Sequence, residues 1–261
     1  MRSFLISATA VAFLAVTNSA SHAEVKQVPY PLVRVKLAPA FSPDDGFVKM
    51  QAAFAAAVSA KDAQALFSLV GPTFLWMSRG ELNDQFDFGS APLDNFKALF
   101  GFSQSLKNSS SSAAEGPLWD VLATFAADKA FYIATGTLVC GPSSAVIADE
   151  EDFNSAKRKI GADASIEWYY TLADAPAMSS PIDAGSPVGH VNQNAVPVLN
   201  VFPPPTAGQP TAPVTHLQVL LPSGKTGWIP VTAGLPLVTD RLCYAVTANG
   251  DWKIAAFDQA E

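Results

Sequence analysis

The chain has 261 residues, with 16 Lys and Arg against 23 Asp and Glu, for a formal charge of −7. That acidic balance excludes the basic surfaces that nucleic acid and anionic membranes call for. Charged residues are only 15 %, against about 25 % in an average soluble domain, so the surface must be mostly uncharged polar and small apolar groups.

The first 23 residues read as an export signal. Arg2 is their only charged side chain, Phe4 to Val16 is apolar, and Ser21 and Ala23 put small residues at the −3 and −1 positions. The expectation is a signal peptide over 1–23 and a mature chain from Glu24, periplasmic or secreted. No stretch reaches the roughly 18–20 apolar residues of a spanning helix, so no membrane span is expected. Cys140 and Cys243 are the two cysteines. In an oxidising compartment a lone pair forms one disulfide, and the alternative is two buried thiols.

Val33, Val35 and Leu37 alternate with Arg34 and Lys36, which predicts a short strand. Ser42-Pro43-Asp44-Asp45 marks a helix start with Ser42 at the N-cap, and Phe47, Met50, Phe54, Ala57 and Val58 then share one face. A second helix follows from about Asp62, with Leu66, Phe67, Leu69 and Val70 inward and Gly71-Pro72 as its stop. Thr73 to Met77 reads as a buried strand and Asp94 to Phe102 as a short helix. Lys107 to Gly116, with four consecutive serines, reads as a loop. A helix opening at Pro117 with Leu118, Trp119, Leu122 and Phe125 on one face leads to a β-rich run from Ala130 to Cys140. Asp149-Glu150-Glu151-Asp152 begins a charged helix or linker, where the domain boundary is placed.

Beyond Ile166 the pattern is of short β-rich runs separated by proline and glycine: Trp168 to Leu172, Val188 to Val191, Val196 to Val201, and a hairpin over Thr215 to Val231 turning at Pro222-Ser223-Gly224. Asn249-Gly250 then separates two further strand-like runs, a strong hairpin signal. The return strand Gly227-Trp228-Ile229 resembles the last hairpin of bacterial SH3-like (SH3b) barrels, and the resemblance covers Ile166 to Val238. The whole chain resembles exported proteobacterial proteins that carry such a module at the C-terminus. The usual Asn-Val-Arg of the first barrel strand is absent, and Trp168-Tyr169-Tyr170 stands in its place. The expected fold is therefore α+β: a helical, mixed N-terminal domain over 24–160, then a small all-β SH3-like barrel with a terminal hairpin over 161–261. The resemblance implies that Trp228 fills the barrel, with Ile229 on the opposite face.

Chemistry-bearing motifs are sparse. After the signal only His190 and His216 remain, and neither has a partner at metal-ligand spacing. The acidic run at 149–152 lacks the glycine and spaced acids of a calcium loop, so no metal and no cofactor is expected. SH3b modules often accompany cell-wall cysteine peptidases. Cys140 is followed by Gly141-Pro142, however, and both histidines fall in the barrel region. The leading expectation is a non-catalytic binding or scaffolding protein that recognises peptidoglycan peptides or a periplasmic protein partner. The alternative is a diverged cell-wall cysteine hydrolase using Cys140. The candidate ligand-binding residues are the aromatics Trp168, Tyr169, Tyr170 and Trp228. Strand alternation sends Trp168 and Tyr170 to one face and Tyr169 to the other, leaving either an open platform or one covered by the rest of the chain.

Overall fold

The computed structural model describes residues 25–78, 81–102, 118–182, 185–204 and 212–260. The signal peptide expected over 1–23 and the serine-rich loop at 107–116 lie outside the described residues.

In chain order, β1 (Val33–Leu37) precedes α1 (Asp45–Ser59) and α2 (Ala63–Ser68). The cap of α1 is Asp44, whose carboxylate accepts the Phe47 N–H at 2.7 Å, rather than Ser42. The choice is tertiary, because the same carboxylate also accepts from Trp252 Nε1 at 3.0 Å. Asp62 caps α2. That helix ends before Leu69, and β2 (Val70–Ser78) runs straight through Gly71-Pro72, so the expected stop lies inside a strand. Along β2, Phe74 and Trp76 are buried while Leu75 is exposed, which makes it one-sided rather than buried on both faces.

Next come β3 (Glu81–Leu82), α3 (Pro92–Leu99), α4 (Trp119–Ala127), β4 (Tyr132–Thr135), β5 (Leu138–Gly141) and β6 (Ala145–Ile147). The acidic run becomes the start of α5 (Glu150–Ile160). Asp149 Oδ1 caps two of its N–H groups, Lys157 to Lys159 face the negative end, and Gly161 closes it at φ 69°. Its apolar side docks through Phe153, Ala156 and Ile160. The rest is β: β7 (Trp168–Thr171), β8 (Ala175–Met178), β9 (Pro187–Val191), β10 (Asn194–Phe202), β11 (His216–Leu220), β12 (Thr226–Pro230), β13 (Gly234–Pro236) after a 3-10 turn at Val231–Ala233, β14 (Arg241–Val246) and β15 (Trp252–Gln259).

These strands form two curled sheets. The first runs β3-β2-β15-β14-β5-β4. The second runs β13-β7-β10-β11-β12-β8-β9, with β1 on β10 and β6 on β1. The expected plan of a helical N-terminal domain followed by one small SH3-like barrel is therefore wrong. Strands make up 37 % of the structure and helices 25 %, and the α-helices among the described residues are five and short. Two pairings account for the difference. β1 leaves the N-terminal part to pair with β10, Val33 opposite Ala195. The β14–β15 hairpin does not append to the second sheet but enters the centre of the first, where β15 runs parallel to β2 and β14 antiparallel to β5.

Helices α1, α3 and α4 cover one face of the first sheet and form an aromatic core. Phe47 sits edge-on to Phe41, Phe131, Tyr244 and Trp252 at centroid distances of 4.9–5.4 Å. The other face carries a small cluster of Tyr132, Cys140, Cys243 and Ala256. Cys140 and Cys243 are directly opposite in the β5–β14 ladder, and their sulfurs lie 2.00 Å apart, at bonding distance. The second sheet closes over an aliphatic core of Ala177, Val191, Val196, Leu217, Val219, Leu221 and Ile229. Among the described residues no helix is long and apolar enough to cross a membrane.

A candidate binding groove at the seam of the two sheets

The seam is built from the C-terminal end of α4, the turn after β5 and the free edge of the second sheet. Helix α4 stops at Asp128, which turns extended (φ −63°, ψ 143°) and accepts the Ala130 N–H on Oδ1 at 3.0 Å. Asp128 Oδ2 is buried without a hydrogen-bond partner. Burial pushes this carboxyl above the usual range, against the lowering effect of the Ala130 and Lys129 N–H groups and the Lys129 charge. Gly141 must be glycine here, since a Cβ would collide with Asp128 Oδ2 and lie 2.7 Å from Phe131 Cδ1. Across the seam, the Tyr170 hydroxyl donates to the Ser143 carbonyl at 2.7 Å, which ties the second sheet to this turn. Desolvation holds that phenol up to about 12.

Two adjoining hollows open along this line. The larger, about 730 Å³, lies between Thr124, Phe125 and Asp128 on one wall and Tyr169, Gly234 and Pro236 on the other, with Pro142, Thr239 and Asp240 at its margins. The smaller, about 440 Å³, continues past Asp128 and Thr232 to Lys129, Asp174 and Leu235. Both are lined by Asp128 and Thr232. Among the described residues, the lining of the 730 Å³ hollow has two carboxylates and no Lys, Arg or His. Asp240 is fixed through Oδ1, which accepts the Ala260 N–H at 2.9 Å, so the strand that completes the first sheet also positions a groove acid.

The candidate aromatics are dispersed. Trp168 is buried against Tyr30 and Phe153, and Tyr170 is fully buried. Tyr169 alternates away from them, is half-buried and lines the larger hollow. Trp228 does not fill the second sheet's core. Ile229 does, at 0 % exposure, while Trp228 is half-buried on the opposite face beside Phe202, at 6.2 Å between ring centroids. The parity is set by Gly227, where a Cβ would come 2.7 Å from Val188 Cγ2 and 2.8 Å from Ala177 Cβ, so the tight inner face takes the glycine and Trp228 turns out. Of the four candidates only Tyr169 belongs to the groove. Asp128, Thr232 and Asp240 carry no periodicity or motif, and nothing in the sequence singles them out.

The histidines and cysteines are not among the described residues that line either hollow, although His190 pairs with Asp174 of the smaller one. His190 Nδ1 is 2.9 Å from Asp174 Oδ2, with both side chains more than half exposed. His216 contacts its neighbour Thr215 Oγ1 at 3.1 Å. Among the described residues no three His, Cys, Asp or Glu side chains group to hold a metal ion, and neither cysteine is free. Comparison with protein-family models, curated proteins and solved structures gives no match.

Proposed function

We propose that this is an exported, non-catalytic binding protein whose ligand, a peptidoglycan peptide or a protein segment, seats in the seam groove. The observation that carries the reading is the construction of the larger hollow. Its walls come from α4, β7 and the run from Val231 through β13 to Asp240, three stretches far apart in sequence. They are held together by the Cys140–Cys243 pair and the Tyr170–Ser143 bond. A concave site of a few hundred Å³, with apolar walls and a few fixed polar groups, has the ordinary form of a ligand pocket. A bonded cysteine pair fits an oxidising compartment, in line with the signal-like first 23 residues. The cysteine-hydrolase alternative would need a thiolate at Cys140, whose sulfur is bonded.

The test is retention on purified sacculi. Thr232 is exposed and lines both hollows, so Thr232→Trp fills the groove from the rim without touching either core. The wild-type chain should sediment with sacculi, and Thr232→Trp, with an unchanged circular-dichroism spectrum, should stay in the supernatant. Equal retention of both proteins would overturn the groove as the site. Absence of wild-type retention would remove peptidoglycan as the ligand.

A further inference from the structure

Resting on that reading of the groove, we infer that the larger hollow recognises a primary ammonium group, carried by a lysine-type side chain of an otherwise uncharged peptide. The first line of support is the hydrogen-bonding character of the open edge. Strand β13 ends the second sheet and pairs only with β7, with Leu235 opposite Tyr170. Leu237 donates its N–H to the Trp168 carbonyl at 2.7 Å. By the two-residue alternation of an antiparallel ladder, Leu235 also faces β7, while the main-chain groups of Gly234 and Pro236 face the hollow. The Gly234 N–H is already taken by the Val231 carbonyl, and Pro236 has none. Away from β7, these two residues therefore offer two carbonyls and no free donor. A strand added along this edge would need donors and acceptors in alternation, so the edge is a poor template for strand addition and a good one for a cluster of N–H donors.

The second line is charge. Among the described residues of the lining, Asp128 and Asp240 are the ionisable acids and bases besides the Tyr169 phenol. Asp240 Oδ1 is occupied by Ala260 N–H, and Oδ2 has no protein partner among the described residues. Asp128 stands in the wall, but its Oδ2 is buried against Gly141 and is not offered to a ligand, so the available carboxylate is that of Asp240. Lys129 lines the smaller hollow, and Arg241 is paired with Asp258 at 3.6 Å. Thr232 and Thr239 hydroxyls complete an acceptor-rich rim. An ammonium brings three donors and a positive charge to carbonyls and a carboxylate, while its alkyl stem lies along Phe125, Val121 and Val231. A carboxylate- or phosphate-bearing group would meet like charge and, among the described lining side chains, only the hydroxyls of the threonines and Tyr169 as donors.

The experiment uses acetyl-Ala-Lys-Ala-amide and its Nε-acetyl-lysine counterpart, titrated into the isotope-labelled full chain while the amide resonances of Thr232, Gly234 and Asp240 are followed. Saturable shifts with the lysine peptide are expected, weakened at least tenfold on acetylation. Asp240→Asn keeps an acceptor for Ala260 and should weaken binding to a similar degree. Equal titration of the two peptides would overturn the ammonium and leave the groove standing. So would silence of the groove resonances while Thr232→Trp still abolishes sacculus retention. If retention is also indifferent to Thr232, the reading on which the inference rests falls with it.

Discussion

The two sheets solve the same problem with different side chains. The first is covered by helices and filled largely by rings, Phe47, Phe74, Phe96, Phe100, Phe125, Tyr244, Trp252 and Phe257 among them, with Met50, Leu66, Leu122, Leu242 and Ile254 between. In the second, the cluster enclosed by β8 to β12 is built of fully buried Ala, Val, Leu and Ile with glycine at 227, while Tyr30, Trp168 and Tyr170 belong to a separate cluster beneath α5. A helix laid on a sheet sits about 10 Å away, and long side chains are needed to bridge the gap at close-packed density. A short sheet curled on itself brings its own strands together, and even a Cβ becomes too much. The first region should therefore be sensitive to atoms removed and the second to atoms added.

The largest effect is expected from Phe47→Ala, which takes a ring away from four aromatic neighbours at once. A loss of about 3–5 kcal/mol in urea unfolding is expected, typical of buried Phe truncation. A loss below about 1 kcal/mol would mean the aromatic layer is loosely packed and the contrast is false.

Replacing both cysteines by alanine comes next. The pair closes a separation of 103 residues and anchors the last hairpin to β5. About 2–4 kcal/mol should go, bounded by about 4.7 kcal/mol from chain entropy for a loop of about 100 residues. Mass spectrometry of a non-reduced digest of the exported protein should show the bonded peptide. Two free thiols would remove the covalent tie between the neighbouring strands β5 and β14.

Gly227→Ala tests the second region. The added methyl meets Val188 and Ala177 below 3 Å, so a loss of about 1–3 kcal/mol is expected from overpacking. A neutral result would show that β8 and β9 can retreat, and the aliphatic core would then be the more compliant of the two.

The smallest effect concerns the seam between them. Asp128 has its carboxyl raised in the folded state by burial. The folded chain thus keeps a proton that the unfolded chain releases first, and stability falls as pH rises from the ordinary carboxylate value through the raised one, then levels. Asp128→Asn can keep the Ala130 contact and cannot ionise. Thermal melts should show the variant gaining on the wild type as pH rises through that window. A constant difference from pH 3 to 8 would mean that Asp128 titrates normally.

Local sequence carried the elements well where the signal was local. The Asp149 cap, the basic last turn and Gly161 define α5 at both ends. Asn249-Gly250 lies in the turn of the last hairpin, with Gly250 at φ 85°. Phe47, Met50, Phe54, Ala57 and Val58 are the buried face of α1. The α2 boundary was misjudged because Gly-Pro usually ends a helix, whereas here β15 runs beside the chain, with Ile254 opposite Val70, and draws it into a strand from that residue.

What the sequence determined by itself was which segments are helical or extended, and which helix face is apolar, because capping, periodicity and turn chemistry act over a few residues. Partner choice was decided only in three dimensions. Whether β1 pairs forward or backward, where the last hairpin inserts and which side Trp228 faces all depend on contacts 100 or more residues away or on the room for one Cβ. The groove follows the same rule. Asp128, Tyr169, Thr232 and Asp240 become neighbours only after two sheets, each using strands from both ends of the chain, close on one another.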